Sequence, residues 1–131
     1  MISKVELRRI ATERLADAKL LLAANRYEGA SYLSGYVVEI GLKLRICKTL
    51  KWQGFPETQS EFNGVTSLKT HNLVVLLRFS GVEDVVKATY LTEWSTMKLW
   101  KPELRYAKTG SADKTDATAM VEAAQKLLKV L

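Results

Sequence analysis

The sequence has 131 residues, which is enough for one domain whose core needs no disulfide or metal to hold it together. Its single cysteine, Cys47, excludes an intrachain disulfide and favours a reducing compartment. The formal net charge of +6 is uneven, because residues 1–51 carry +5 and residues 52–131 carry +1. Such an asymmetry favours polyanion binding, although solvated helix surfaces produce the same composition.

The chain is expected to be cytoplasmic and not inserted in a membrane. Charged side chains at Lys4, Arg8, Arg9 and Glu13 interrupt any apolar core that a secretory signal would need. No stretch approaches the roughly 20 apolar residues of a membrane span. We also find no repeat and no linker-like segment, so residues 1–131 are predicted to form a single domain.

Two long antiparallel helices are predicted first. Ser3 and Glu6 have the spacing of a capping box, in which each side chain satisfies the other's free backbone donor. An apolar stripe then continues until Asn25, which suits the left-handed position that ends a helix. A second helix is predicted at about Tyr27 to Leu50, and the short turn requires the two helices to form a hairpin.

The second helix is predicted to be the centre of the domain. One apolar face carries Ala30, Leu33, Val37, Ile40, Leu44 and Cys47. Val38 and Leu42 form another, and a helix with two apolar faces is either central or at an interface. Glu39 and Lys43 have the spacing of an ion pair one turn apart. We therefore expect a homodimer in which Val38 and Leu42 contribute to the contact.

Three further helices are predicted after a long loop from Lys51 to Thr66. The first of them covers about Asn72 to Ser80 and stops at Gly81. The next follows the apolar positions Val82, Val86, Tyr90, Trp94 and Met97 as one helix. Pro102 ends it, and Tyr106 to Ala112 is predicted to be a loop. The last begins near Asp113 to Asp116, where acids suit the positive end of the helix dipole.

Residues 26–43, 69–73 and 100–106 together resemble three segments of the HEPN family (higher eukaryotes and prokaryotes nucleotide-binding). The run Arg26-Tyr27-Glu28 through Leu42-Lys43 is similar to the second helix of HEPN domains, with its buried Glu-x-x-x-Lys. Lys69-Thr70-His71-Asn72-Leu73 is similar to the family's His-containing entry into the third helix. Trp100-Lys101-Pro102-Glu103-Leu104-Arg105-Tyr106 resembles the "ELRY" segment before its last helix.

The resemblance implies an all-α, up-and-down bundle of four to five helices, usually a homodimer. Family members are often toxins, defence proteins or ribonucleases paired with a small nucleotidyltransferase. Catalytic members carry an arginine and a histidine a few residues apart. Here Gly64, Val65 and Thr66 occupy the arginine positions before His71, and Gly110 to Ala112 hold no histidine after Arg105. The ribonuclease signature is therefore absent, and the resemblance implies a non-catalytic module.

The candidate site residues have structural alternatives. His71 can act as a general acid or base, or simply form a hydrogen bond or cap at the start of a helix. Arg105, with Tyr106 beside it, can hold a phosphate, or Arg105 can form a salt bridge to Glu39. Lys43, Arg45 and Lys48, with Arg8 and Arg9 nearby, are candidates for a basic strip that contacts RNA, with Tyr32 and Tyr36 as stacking surfaces. The three tryptophans Trp52, Trp94 and Trp100 are more typical of core anchors.

We therefore expect a dimerising module that binds nucleic acid, a nucleotide or a partner nucleotidyltransferase. One alternative is a metal-independent ribonuclease with a non-standard active site, and another is a structural helical interaction protein. The candidate catalytic set of that ribonuclease is His71, Arg78, Arg105, Glu39 and Lys43. No cysteine or histidine cluster has the spacing of metal ligands, and no glycine-rich phosphate loop is present. We predict neither a metal nor a cofactor.

Overall fold

The computed structural model describes residues 1–131 and shows a mostly helical chain with six helices and one two-stranded sheet. The elements in chain order are β1 (Ile2–Ser3), α1 (Lys4–Ala23), α2 (Tyr27–Thr49), β2 (Gly54–Phe55), a 3-10 turn (Thr66–Leu68), α3 (Leu73–Ser80), α4 (Glu83–Thr89), α5 (Leu91–Met97), a second 3-10 turn (Pro102–Tyr106) and α6 (Lys114–Val130). The helical class agrees with the prediction, whereas the sheet was not predicted. None of these helices combines the length and the apolar character needed to cross a bilayer.

The α1–α2 hairpin has the predicted boundaries. The Ser3 hydroxyl accepts a hydrogen bond from the Glu6 backbone N–H at 3.1 Å, which is half of a capping box. The Glu6 carboxylate does not complete the box, because it accepts from Arg9 at 2.9 Å instead. Asn25 adopts a φ of 62°, and this left-handed residue reverses the chain after α1.

Helix α2 is the centre of the fold and packs against α1, α3 and α6. Its small residues admit close neighbours, with Gly35 against the Trp100 indole and Gly41 against Leu128 and Leu131. Val38 and Leu42 are 0% and 1% exposed and belong to the main core. The second apolar face is therefore covered within the chain. The prediction that Val38 and Leu42 form a dimer contact is wrong, because both side chains are buried in the core of the chain itself.

The segment between α2 and α3 is held to the core, although it contains little regular structure. Phe55 and Phe62 are buried, with ring centroids 6.0 Å apart in an edge-to-face arrangement. In the antiparallel sheet, Ile2 pairs with Phe55 and Ser3 with Gly54. The segment predicted to be a long loop is thus anchored by two aromatic side chains and one short sheet.

Helices α3 and α6 match their predictions, whereas the helix predicted between them is broken. Asn72 caps α3, and Gly81 ends it with a φ of 79°. At Tyr90 the backbone leaves helical angles, with φ −120° and ψ 34°, and this separates α4 from α5. The break redirects the chain so that α5 packs on α6. Apolar spacing alone did not reveal it, because Val86 and Trp94 are buried on either side.

Candidate functional site

The centre of the candidate site is a hydrogen bond between a buried carboxylate and an exposed imidazole. His71 Nδ1–H donates to Glu39 Oε1. The Glu39 side chain is 4% exposed, whereas the His71 side chain is 59% exposed. Lys43 Nζ lies 3.8 Å from the other carboxylate oxygen, Glu39 Oε2. Because Glu39 accepts the Nδ1 proton, Nε2 of neutral His71 carries the free lone pair.

His71 is positioned by the turn that begins α3. The Thr70 hydroxyl accepts from the Asn72 backbone N–H at 3.0 Å. The Asn72 side chain then accepts from the N–H groups of Val74 and Val75 at 2.9 and 3.2 Å. Both side chains favour such local bonds to the backbone at helix starts. They hold the turn so that His71 reaches Glu39 in the middle of α2.

An open cleft of about 620 Å³ lies beside His71, between the start of α3 and the segment that follows α5. Three exposed lysines line it, namely Lys69, Lys98 and Lys101, together with one acid, Glu103. Lys69 Nζ donates to the Gln59 side chain at 2.5 Å, and none of the three forms an ion pair. The cleft therefore concentrates positive charge next to the imidazole.

An aromatic cluster supports one wall of the cleft. The Trp100 indole N–H donates to the Tyr32 carbonyl at 3.1 Å, and its ring lies 4.8 Å from that of Tyr36. The hydroxyls of Tyr32 and Tyr36 are 3.4 Å apart. This hydrogen bond and the burial of the phenol raise the pKa of Tyr36 to about 12. These tyrosines are therefore packing residues rather than free stacking surfaces. As predicted, Trp100 and Trp94 are core anchors.

Arg105 and Tyr106 stack on each other at the edge of the same segment. The Arg105 guanidinium lies 4.8 Å from the Tyr106 ring centroid, and Nη1 donates to the Pro102 carbonyl at 3.3 Å. The alternative of a salt bridge from Arg105 to Glu39 is wrong, because His71 and Lys43 occupy that carboxylate. Tyr106 is 77% exposed, so the pair presents an aromatic face to solvent.

The structure divides the predicted basic strip. Lys43 pairs with Glu39 and lies over the Phe55 ring, 5.2 Å from its centroid. Lys48 is five residues later, which is about 140° around a helix. Lys48 lies instead near Arg45 and Arg8. Burial lowers the pKa of Lys48, and the positive charges of Arg8 and Arg45 lower it further. The helical period therefore separates Lys43 from Lys48, whereas Arg45, Lys48 and Arg8 lie together as predicted, and their contact with RNA stays a prediction.

Other predicted participants are not brought to the cleft. Arg78 is exposed on α3 and does not line it. Cys47 is buried, and burial raises the pKa of its thiol, which disfavours the reactive thiolate. No group of three or more His, Cys, Asp or Glu side chains is placed to hold a metal ion.

The lysines of the cleft were missed at the sequence level. Lys98 and Lys101 flank Trp100, and Lys69 lies two residues before His71. Their closeness in sequence to His71 and Trp100 could have indicated the cleft, but the net charge of each half of the chain does not show such a local group.

Comparison of the chain with protein-family models, curated proteins and solved structures finds no match.

Proposed function

We propose that this chain is a HEPN-like module that binds a phosphate-bearing ligand, a nucleotide or single-stranded RNA, in the cleft beside His71. The observation that carries the proposal is that Lys69, Lys98 and Lys101 line the same cleft as an imidazole held by the buried Glu39. Two of the three segments on which the family resemblance rests line this cleft, and the third contacts them through Glu39 and Tyr36, which supports the same proposal.

The chemistry of the cleft suits phosphate. Lysine ammonium groups neutralise phosphate oxygens as point charges, and an imidazole N–H adds a directional donor. A proton on Nε2 of His71 supplies this donor while Glu39 still accepts from Nδ1. The exposed Tyr106 ring offers a stacking surface for a base at the far end of the segment.

Fluorescence anisotropy with a labelled single-stranded RNA tests the proposal across salt concentrations. The variant Lys98→Gln/Lys101→Gln should weaken binding about tenfold and reduce the log-affinity against log-salt slope by about 1.4, because each lost contact contributes about 0.7. The control Lys114→Gln/Lys129→Gln removes the same charge from exposed positions on α6 and should leave most of the affinity. Absence of binding to RNA, ATP or GTP at low salt contradicts the proposal.

One feature favours a second function, metal-independent RNA cleavage. A carboxylate-oriented imidazole with a free Nε2 is the arrangement of a general base, which in this reaction removes the proton of the ribose 2′-hydroxyl. The freed oxygen attacks the phosphorus, and the leaving 5′-oxygen requires a proton from a second group. His71 is the only histidine, so one proton carrier would have to serve both steps.

Binding without turnover is therefore the leading proposal. We expect no RNA cleavage above background by the purified protein. Cleavage that survives a chelator and is lost in folded His71→Ala would instead establish the ribonuclease. RNA binding by both the wild type and His71→Ala, without any cleavage product, supports the non-catalytic module.

The same proposal includes a homodimer. We place its interface at the rim of the cleft instead of on α2. Leu99 is 78% exposed there, and Val74 is 38% exposed. Apolar side chains grouped at a rim are typical of an interface. Light scattering at high micromolar concentration should give a dimer that Leu99→Asp dissociates. A wild-type monomer contradicts this part alone and leaves ligand binding to be judged separately.

A further inference from the structure

A second cationic surface lies where the start of α1 meets the end of α2. It consists of Lys4 and Arg8 on α1 with Arg45 and Lys48 on α2, and we call it the hairpin cluster. The other three side chains lie close enough to Lys48 to interact with its charge. The pKa of Lys48 is lowered by burial and also by Arg8, Arg45 and Lys4. These four positive side chains repel one another, and this repulsion destabilises the folded hairpin.

No acidic side chain pairs with the hairpin cluster. None of its four side chains forms an ion pair, in contrast to the adjacent Arg9, which pairs with Glu6 at 2.9 Å. Arg45 Nε is buried and donates to no acceptor in the chain. Lys48 Nζ donates to a backbone oxygen of Leu131 at 2.9 Å. An external anion would relieve this repulsion.

An apolar patch lies within the hairpin cluster. A shallow depression of about 490 Å³ is lined by Lys4, Val5, Arg8, Arg9, Leu44 and Lys48. Val5 is 70% exposed, whereas Leu44 is 1% exposed and closes the base. A complementary ligand therefore has negative groups around at least one apolar group.

The hairpin cluster is separate from the cleft at His71. Lys48 is nine residues after Glu39, which is about half a turn of net rotation around α2. The two surfaces therefore lie on opposite sides of the central helix, and they share no lining residue.

We propose that the hairpin cluster docks an acidic segment of another protein, with an apolar side chain of that segment packed on Val5. Charge complementarity favours such a segment, since carboxylates meet guanidinium groups in bidentate pairs. The exposed valine distinguishes this partner from a nucleic-acid backbone, which gains little from an apolar contact at its phosphates. Helix α1 thus carries the apolar anchor and two of the four positive charges of the surface.

Isothermal titration calorimetry with the full chain tests this proposal with two synthetic probes. One is a short Asp/Glu peptide with a central leucine, and the other has asparagine in place of that leucine. The leucine peptide should bind more tightly, because it buries apolar surface on Val5. Val5→Ser should weaken the leucine peptide about threefold and abolish the difference between the peptides. Leu20→Ser, at an equally exposed position on α1, is the matched control.

The charge contribution is tested with Lys4→Gln/Arg8→Gln, which should weaken both peptides about tenfold. Lys19→Gln/Lys114→Gln removes the same net charge elsewhere and should change binding less than about twofold. Circular dichroism confirms that each variant is folded. Equal affinity for the two peptides, or no binding at low salt, overturns the proposal. Tighter binding of oligothymidylate or of phosphatidylserine vesicles, lost in Lys4→Gln/Arg8→Gln but retained in Val5→Ser, also overturns it and assigns the surface to phosphate groups.

Discussion

Trp100 covers Gly35 so closely that no other residue fits at that position of α2. A Cβ at Gly35 would lie 2.0 Å from Trp100 Cε2, well inside van der Waals contact. The indole N–H also bonds to the Tyr32 carbonyl one turn earlier, so the ring is held at both its face and its edge. This contact attaches the cleft segment to the central helix and determines where Lys98 and Lys101 lie.

Gly35→Ala should therefore destabilise the protein by about 3 kcal/mol, because the indole must move for the added methyl group. Gly29→Ala is the matched control in the same helix, since its Cβ would meet only the flexible Leu21 side chain at 3.2 Å. It should be neutral or stabilising by up to about 1 kcal/mol, from the better helix propensity of alanine. Urea denaturation measures both, and equal stabilities would contradict the structural assignment of Trp100.

Loss of the imidazole should leave a buried carboxylate poorly satisfied. We expect His71→Ala to destabilise the protein by about 1–2 kcal/mol, because only Lys43 at 3.8 Å then faces Glu39. In the background Glu39→Gln the same change should cost much less, and a double-mutant cycle measures this coupling. Lys69→Ala, two residues away and exposed, is expected to have little effect on stability. A coupling near zero would mean that the two side chains do not interact in solution.

Lys43 is expected to act on stability rather than on ligand affinity. Lys43→Gln removes the positive partner of the buried Glu39 and should destabilise the fold by about 1 kcal/mol. Its charge is already engaged, so the salt dependence of RNA binding should stay as in the wild type. Anisotropy and urea denaturation on the same preparations distinguish the two effects. A reduced salt slope in Lys43→Gln would restore Lys43 as a phosphate contact.

Tyr36 should make the fold sensitive to alkaline pH. Its pKa is raised to about 12 in the folded protein, against about 10 for an unfolded tyrosine. The folded state therefore holds the phenolic proton more tightly. The resulting stabilisation is complete below about pH 10 and is lost as pH rises through about 12. Tyr36→Phe should lose less stability over that interval than the wild type. Tyr106→Phe, at an exposed residue, should behave like the wild type in urea unfolding.

The sequence was most informative where a local signal and a periodic pattern coincided. Asn25 and Gly81 marked helix ends through their tolerance of left-handed angles, and both adopt them. The break at Tyr90 escaped because buried residues continue at helical spacing on both sides of it. The sheet escaped because two residues per strand are too few to show alternation.

The candidate site was predicted only in part, for a related physical reason. Glu39, Lys43 and His71 were each named, and the i,i+4 pair followed from helical geometry. The contact between Glu39 and His71 spans 32 positions, so no local rule indicates it. The predicted dimer face failed similarly, since the residues that bury Val38 and Leu42 lie far away in the chain. Charge counted by halves of the sequence also did not indicate the cleft lysines, because they lie in residues 52–131, where acidic residues reduce the net charge to +1.

The small sheet makes the α1–α2 hairpin a closed ring. The turn at Asn25 joins the helices at one end, and the pairing of Ile2 with Phe55 joins them at the other. Gly54 allows this closure, because a Cβ there would lie 2.4 Å from the Ile2 carbonyl oxygen. Both ends of helix α1 are therefore attached, so local unfolding does not begin at either end of the helix. Its amide hydrogens should exchange together with those of α2 in one cooperative opening, rather than progressively from either terminus.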